Sequence, residues 1–95
     1  MKLLRVVRSE NPEKKYDAVF ENNGRTKTIS FGARGMSDYL HHKDESRREA
    51  YLRRHAANED WTVPDTAGSL SRWLLWGPTT SLEKNLMLFR RRFNV

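Results

Sequence analysis

Ninety-five residues with 37% hydrophobic content suffice for one domain with a single modest core and exclude a deep cleft between two lobes. Eighteen Lys and Arg against twelve Asp and Glu leave a net charge of +6, which puts acidic partners first, nucleic acid above all. With no cysteine, disulfides, thiolate catalysis and Cys-ligated zinc are excluded.

The opening MKLLRVVRSE has a basic start, but Arg5 and Arg8 interrupt its apolar run well before the ~7 to 15 residues of a signal-peptide core. No stretch approaches the ~18 apolar residues of a membrane span. The expectation is a soluble, intracellular protein without a membrane partner.

Residues 2–8 alternate loosely, with Leu4 and Val6 on one side and Leu3, Arg5 and Val7 on the other, as in a strand with one face more buried. Asn11-Pro12 marks a turn. From Tyr16 to Glu21 the alternation is clean, Tyr16, Ala18 and Phe20 inward against Asp17, Val19 and Glu21. Asn22-Asn23-Gly24 then predicts a hairpin, because Asn and Gly tolerate positive φ. Residues 25–31 close it with Ile29 and Phe31 inward, completing a three-stranded antiparallel meander. One face of so small a sheet must be covered.

Gly32-Ala33-Arg34-Gly35 breaks the strand pattern. Ser37-Asp38 starts a short helical turn through Tyr39 and Leu40, and a longer helix runs from an Asp44 N-cap to about Ala57 with a narrow stripe of Tyr51, Leu52 and His55. Trp61 in the extended connector is expected to plug the core. Thr66 caps the next helix, with Leu70, Trp73 and Leu74 at helical spacing, and Trp76-Gly77-Pro78 stops it. Thr80 and Glu83 read as a capping box for a last helix burying Leu82, Leu86, Phe89 and Phe93. The fold class is α+β in one domain: meander and loop over 1–35, about three helices on one sheet face over 36–95. Net charge is +4 over 1–35, −2 over 36–65 and +4 over 66–95, so the two ends carry the positive potential.

At FGARGMSDYLHHKDESRREAYLRRH, NEDW, TAGSLSRWLLWG and FRRRF the chain resembles a family of short proteins of unknown function, found in large DNA viruses of algae and amoebae and in some protists. The resemblance covers roughly residues 28–93. It implies a shared fold and a viral or protist origin, hence a place in a virion or in host cytoplasm or nucleus, and it transfers no functional residue.

Four groups carry candidate chemistry. The Gly32–Gly35 loop lets main-chain amides approach an anion, and Arg34 adds a guanidinium fork suited to phosphate, although a plain strand-to-helix connection also uses such glycines. Arg90, Arg91 and Arg92, with Arg72 and Lys84, suit a phosphate backbone, or simply the negative end of a helix. Asp38, His41, His42, Asp44 and His55 are of metal-binding type but show no recognised ligand spacing. Trp61, Trp73, Trp76, Tyr39 and Tyr51 can stack on bases if exposed, while a core this small needs large rings, and Trp76 is the one placed to be exposed.

The leading expectation is a small basic non-enzymatic protein binding DNA or RNA phosphates, mainly independently of sequence, through Arg34, Arg90, Arg91 and Arg92 with Lys27, Arg47 and Arg72. No cofactor, metal or catalytic residue is assigned. A second reading is a structural or adaptor protein, self-associating or docked on a larger viral or cellular assembly through its Trp-rich helical segment. A metal-dependent nuclease is third.

Overall fold

Strands β1 (Lys2–Arg8), β2 (Lys14–Asn22) and β3 (Arg25–Ala33) pair antiparallel in the order β1-β2-β3, in a computed structural model that describes residues 1–95. Asn23 at φ 54° and Gly24 at φ 81° form the hairpin turn, and Asn22 faces Arg25 across it. Tyr16 then faces Phe31 and Ala18 faces Ile29, so the inward sets of both strands share one side.

The first strand departs from simple alternation. Its register slips between Leu3, opposite Phe20, and Arg5, opposite Val19, leaving Leu4 as the extra residue of a β-bulge. The bulge puts Leu3, not Leu4, beside Val6 on the core side, and Leu3 is 1% exposed. Its carbonyls are not wasted: the Arg90 guanidinium donates to Leu3 O at 3.0 Å and Leu4 O at 3.4 Å, and Leu3 N donates to Val95 O. The two ends of the chain are thereby fastened together.

Helices α1 (Tyr39–His42), α3 (Ala67–Leu70) and α4 (Leu82–Phe93) pack residues on the Phe20–Phe31 face of the sheet, α2 (Glu45–Ala56) buries no residue and packs beside α1, and α3 runs directly into a π-helical turn over Ser71–Leu75. Widening the helix there brings Leu70, Leu74 and Leu75 into the core together, where the 3.6-residue pattern offered only Leu70 and Leu74. Leu75 meets β3 at Gly32, whose φ is +78° and where a Cβ would stand 2.8 Å from Leu75 Cδ1. Trp61 lies outside this core, half-buried, with its Nε1 donating to Glu59.

Thr66 caps α3 through Ser69 N at 3.1 Å, as its position predicts. The cap of α4 is Ser81, accepting from Lys84 N, not Thr80. Thr79 explains the shift: its hydroxyl is held by Asn85 Oδ1 at 2.7 Å and accepts from Ser81 N at 3.0 Å, fixing the chain one residue later. Asn85 is fully buried and donates to Leu74 O and Thr79 O. It satisfies main-chain groups on both sides of the turn between the π segment and α4.

Candidate nucleic-acid interface

The site is built from α2 upward. Asp44 Oδ1 accepts from Ser46 N and Arg47 N, starting the helix at Glu45. That start places Arg47, Tyr51 and Arg54 at i, i+4 and i+7 on one face. Opposite stands Trp76, where the π turn ends. Its carbonyl accepts from Arg48 Nε and Arg72 Nη1, both at 3.2 Å, and Gly77 O accepts from Arg48 Nε at 2.8 Å. Gly77 has no room for a side chain, since a Cβ would lie 2.2 Å from Trp73 O.

Between these elements the rings form a ladder. Trp76 stacks on Tyr51 with centroids 4.1 Å apart and planes within 2°, and Tyr51 stacks on His55 at 4.1 Å and 25°. His42 closes on Trp76 at 5.2 Å, while its Nδ1 accepts from Asp44 N. Trp76 is therefore a half-buried rung, not the exposed ring its neighbouring glycine suggests.

Beside the ladder lies a cavity of about 540 Å³, bounded by the end of β3, α2 and the α3–π segment. Two carboxylates on its wall are already engaged. Asp38, 1% exposed, accepts from Lys15 Nζ at 2.6 Å and pairs with His41 Nδ1 at 2.9 Å. Burial raises the Asp38 carboxyl, but the hydrogen bonds and charges of Lys15 and His41 hold it below the usual carboxylate range. Glu59 pairs with His55 Nδ1 and accepts from Trp61 Nε1. Lys14, Arg47 and Arg54 line the same cavity without an ion-pair partner. Burial, and then the Glu59 charge, push the Tyr51 phenol up to about 12, so it is neutral at physiological pH.

Behind Trp76 three more arginines gather. Arg72 lies 4.1 Å over Trp73 and 5.2 Å over Trp61, and Arg92 lies 3.8 Å over Trp73. Arg48, bonded to the Trp76 carbonyl alongside Arg72, lies 5.6 Å over the Tyr39 ring. None of the three has a carboxylate partner. Burial, then the charges of Arg48 and Arg92, bring Arg72 down to about 10, and its buried Nε has no hydrogen-bond acceptor. Cation–π contact offsets part of that cost, by ~1 to 2 kcal/mol per desolvated pair.

The seven residues expected to meet phosphates are thus distributed as follows. Arg72 and Arg92 share Trp73, Arg91 lies beside Arg92 at the end of α4, and Arg47 lines the cavity. Arg34 follows β3 at the cavity end of the sheet but is anchored there, donating to Lys14 O at 3.0 Å and Ser9 O at 2.9 Å. Arg90 is anchored on the β1 bulge, and Lys27 pairs with Asp65 at 3.3 Å. The Gly32–Gly35 segment ends β3 and leads towards α1, with Gly35 at φ +93°.

Asp38, His41, His42, Asp44 and His55 do not converge: His41 is on Asp38, His42 is in the ladder and His55 is on Glu59. No group of three His, Cys, Asp or Glu residues is arranged to hold a metal ion.

Arg48, Arg54, Lys14 and Glu59 are the site residues that the sequence reading left out. Arg54 was available from its i+7 spacing to Arg47. Lys14 and Glu59 reach the cavity only through long-range packing, which no local pattern encodes.

No helix is long and apolar enough to cross a membrane. No curated protein and no solved structure matches the chain. A family match does exist, and it starts in β1 and ends within α2, earlier than the 28–93 span of the expected resemblance. Residues 4–55, more than half of the chain, match the family of unknown function DUF5754, and the chain belongs to that family.

Proposed function

We propose that this protein binds nucleic-acid phosphates without enzymatic action, mainly independently of base sequence, through the arginines gathered around Trp73, Trp76 and the adjoining cavity. The observation that carries this reading is the clustering of Arg48, Arg72 and Arg92 with no carboxylate among them. Like charges held this close destabilise one another, and a polyanion relieves that repulsion while releasing its own counterions. Arg47, Arg54 and Arg91 are exposed and extend the cationic surface. Arg34, Arg90 and Lys27, like Arg48 and Arg72 on the Trp76 carbonyl, keep their charge but are fixed by partners within the chain, so they contribute field more than contact.

The finer placing of the protein in a virion or host compartment rests on the resemblance alone. The adaptor reading has less support, because Trp61, Trp73 and Trp76 are engaged in contacts inside the chain. The test is retention of labelled DNA and RNA at two salt concentrations. Binding at low salt that falls about tenfold or more between 50 and 200 mM fits about three phosphate contacts to a single strand. Absence of retention at low salt, together with a discrete oligomer, supports the adaptor instead.

A further inference from the structure

We infer that the cavity between β3, α2 and α3 is a nucleotide subsite, which takes one unstacked, phosphorylated base. The inference rests on the phosphate-binding reading and deepens it, because it names what one unit of a bound strand does there.

Three independent features converge. The volume of about 540 Å³ falls within the ~300 to 1,000 Å³ usual for small-ligand sites. The lining includes three rings that stack on one another, His55, Tyr51 and Trp76, together with apolar Phe31 and Leu75. These rings spend their faces on one another, so a flat base meets the wall through apolar and edge contacts that ask little in hydrogen bonding. The charge of the wall is also one-sided in what it leaves free. Asp38 and Glu59 are engaged by Lys15, His41 and His55, whereas Lys14, Arg47 and Arg54 have no ion-pair partner. An anion on the same molecule as the flat ring meets that surplus, and a guanidinium fork suits a phosphate because it can donate two parallel N–H bonds to it.

Glycine leaves Glu59 its place on this wall. At Gly68, on the cavity wall, a Cβ would meet Glu59 Oε1 at 2.4 Å and displace the carboxylate that holds His55. Occupancy by a base requires it to leave its neighbours in the strand, which costs least for an unpaired strand. The subsite therefore confers preference for single strands over duplex without reading sequence.

The experiment compares adenosine 5′-monophosphate, uridine 5′-monophosphate and ribose 5-phosphate by NMR titration of the full chain. In parallel, a labelled single strand and its duplex are titrated at low salt. The variant is Ala67→Trp, an exposed position on the cavity wall where a large ring fills the space without entering the core; its fold is checked by circular dichroism. The expected result is saturable binding of both nucleotides and at least tenfold weaker binding of ribose 5-phosphate. A67W loses nucleotide binding tenfold or more and also loses the single-strand preference, while duplex retention is unchanged. Equal binding of ribose 5-phosphate, or nucleotide binding untouched by A67W, overturns the subsite and leaves the phosphate-binding reading standing. Nucleotide binding abolished by A67W, without retention of either polymer, supports the subsite for free nucleotides and overturns the polymer reading.

Discussion

The Trp76 indole lies flat on the Tyr51 ring, 4.1 Å between centroids and 2° from parallel, and this contact joins α2 to the π-helical turn. Both rings are half-buried, so their stacking works as structure and as cavity wall at once. Truncating Tyr51 leaves Trp76 and His55 facing a gap. Y51A is expected to lose ~2 kcal/mol in urea unfolding, below the ~3 to 5 kcal/mol of a fully buried aromatic because the ring is partly solvated. Y51F, which keeps both stacks, is expected to stay within ~0.5 kcal/mol of the parent.

Three glycines should rank by what surrounds them. Gly35 has φ +93° and open space around it, so G35A pays only for the left-handed backbone, ~1 kcal/mol. Gly32 combines φ +78° with a Cβ 2.8 Å from Leu75 Cδ1, and G32A should lose ~2 to 3 kcal/mol. Gly77 faces main chain, Trp73 O at 2.2 Å, which cannot swing aside as a side chain can; G77A should be the most damaging of the three. Thermal unfolding of the set checks the order.

Asp38 makes a pH prediction. Its folded carboxyl titrates below the ordinary value of 3.8, because Lys15 and His41 outweigh its burial. Below 3.8 the unfolded chain therefore takes up this proton before the folded one does. The contribution is complete above that pH and is lost as pH falls through the folded value. D38N should be ~2 to 3 kcal/mol less stable at pH 7, since it leaves Lys15, 14% exposed at its side chain, without a counter-charge. It should also show a shallower loss of stability than the parent as pH falls below 3.8. Urea midpoints across that range read both effects.

Asn85 tests the polar joint inside the core. N85A orphans Leu74 O and Thr79 O and is expected to lose ~2 to 3 kcal/mol. N85D removes the amide donor and adds a buried charge beside those same carbonyls. It should fall further than N85A at pH 7, and equilibrium unfolding of the pair separates the two costs.

Local chemistry made much of this fold legible. The Asn23-Gly24 turn, the inward Ala18, Phe20, Ile29 and Phe31, and the caps at Asp44 and Thr66 follow from period, turn residues and hydrogen-bonding side chains. The failures share a cause. The Leu4 bulge exists because Arg90, some 86 positions away, binds the carbonyls it exposes. The cap moves from Thr80 to Ser81 because Asn85 captures Thr79. Leu75 enters the core because the helix widens where it meets Gly32. In the site, the α2 face carrying Arg47, Tyr51 and Arg54 was readable as a helical repeat, whereas the meeting of Arg48, Arg72 and Arg92 around two tryptophans depends on tertiary packing.

The most direct test of the central claim is the salt dependence of single-strand binding, measured by fluorescence anisotropy for the parent and for R47E/R54E. Both positions are exposed, so the double variant should retain its fold. The parent should show a linear fall of log affinity with log salt, and R47E/R54E at least tenfold weaker binding at low salt with a slope shallower by roughly 1.4, at ~0.7 per lost phosphate contact. Binding that is absent at 50 mM salt, or unchanged in slope and strength by the two charge reversals, would contradict that claim.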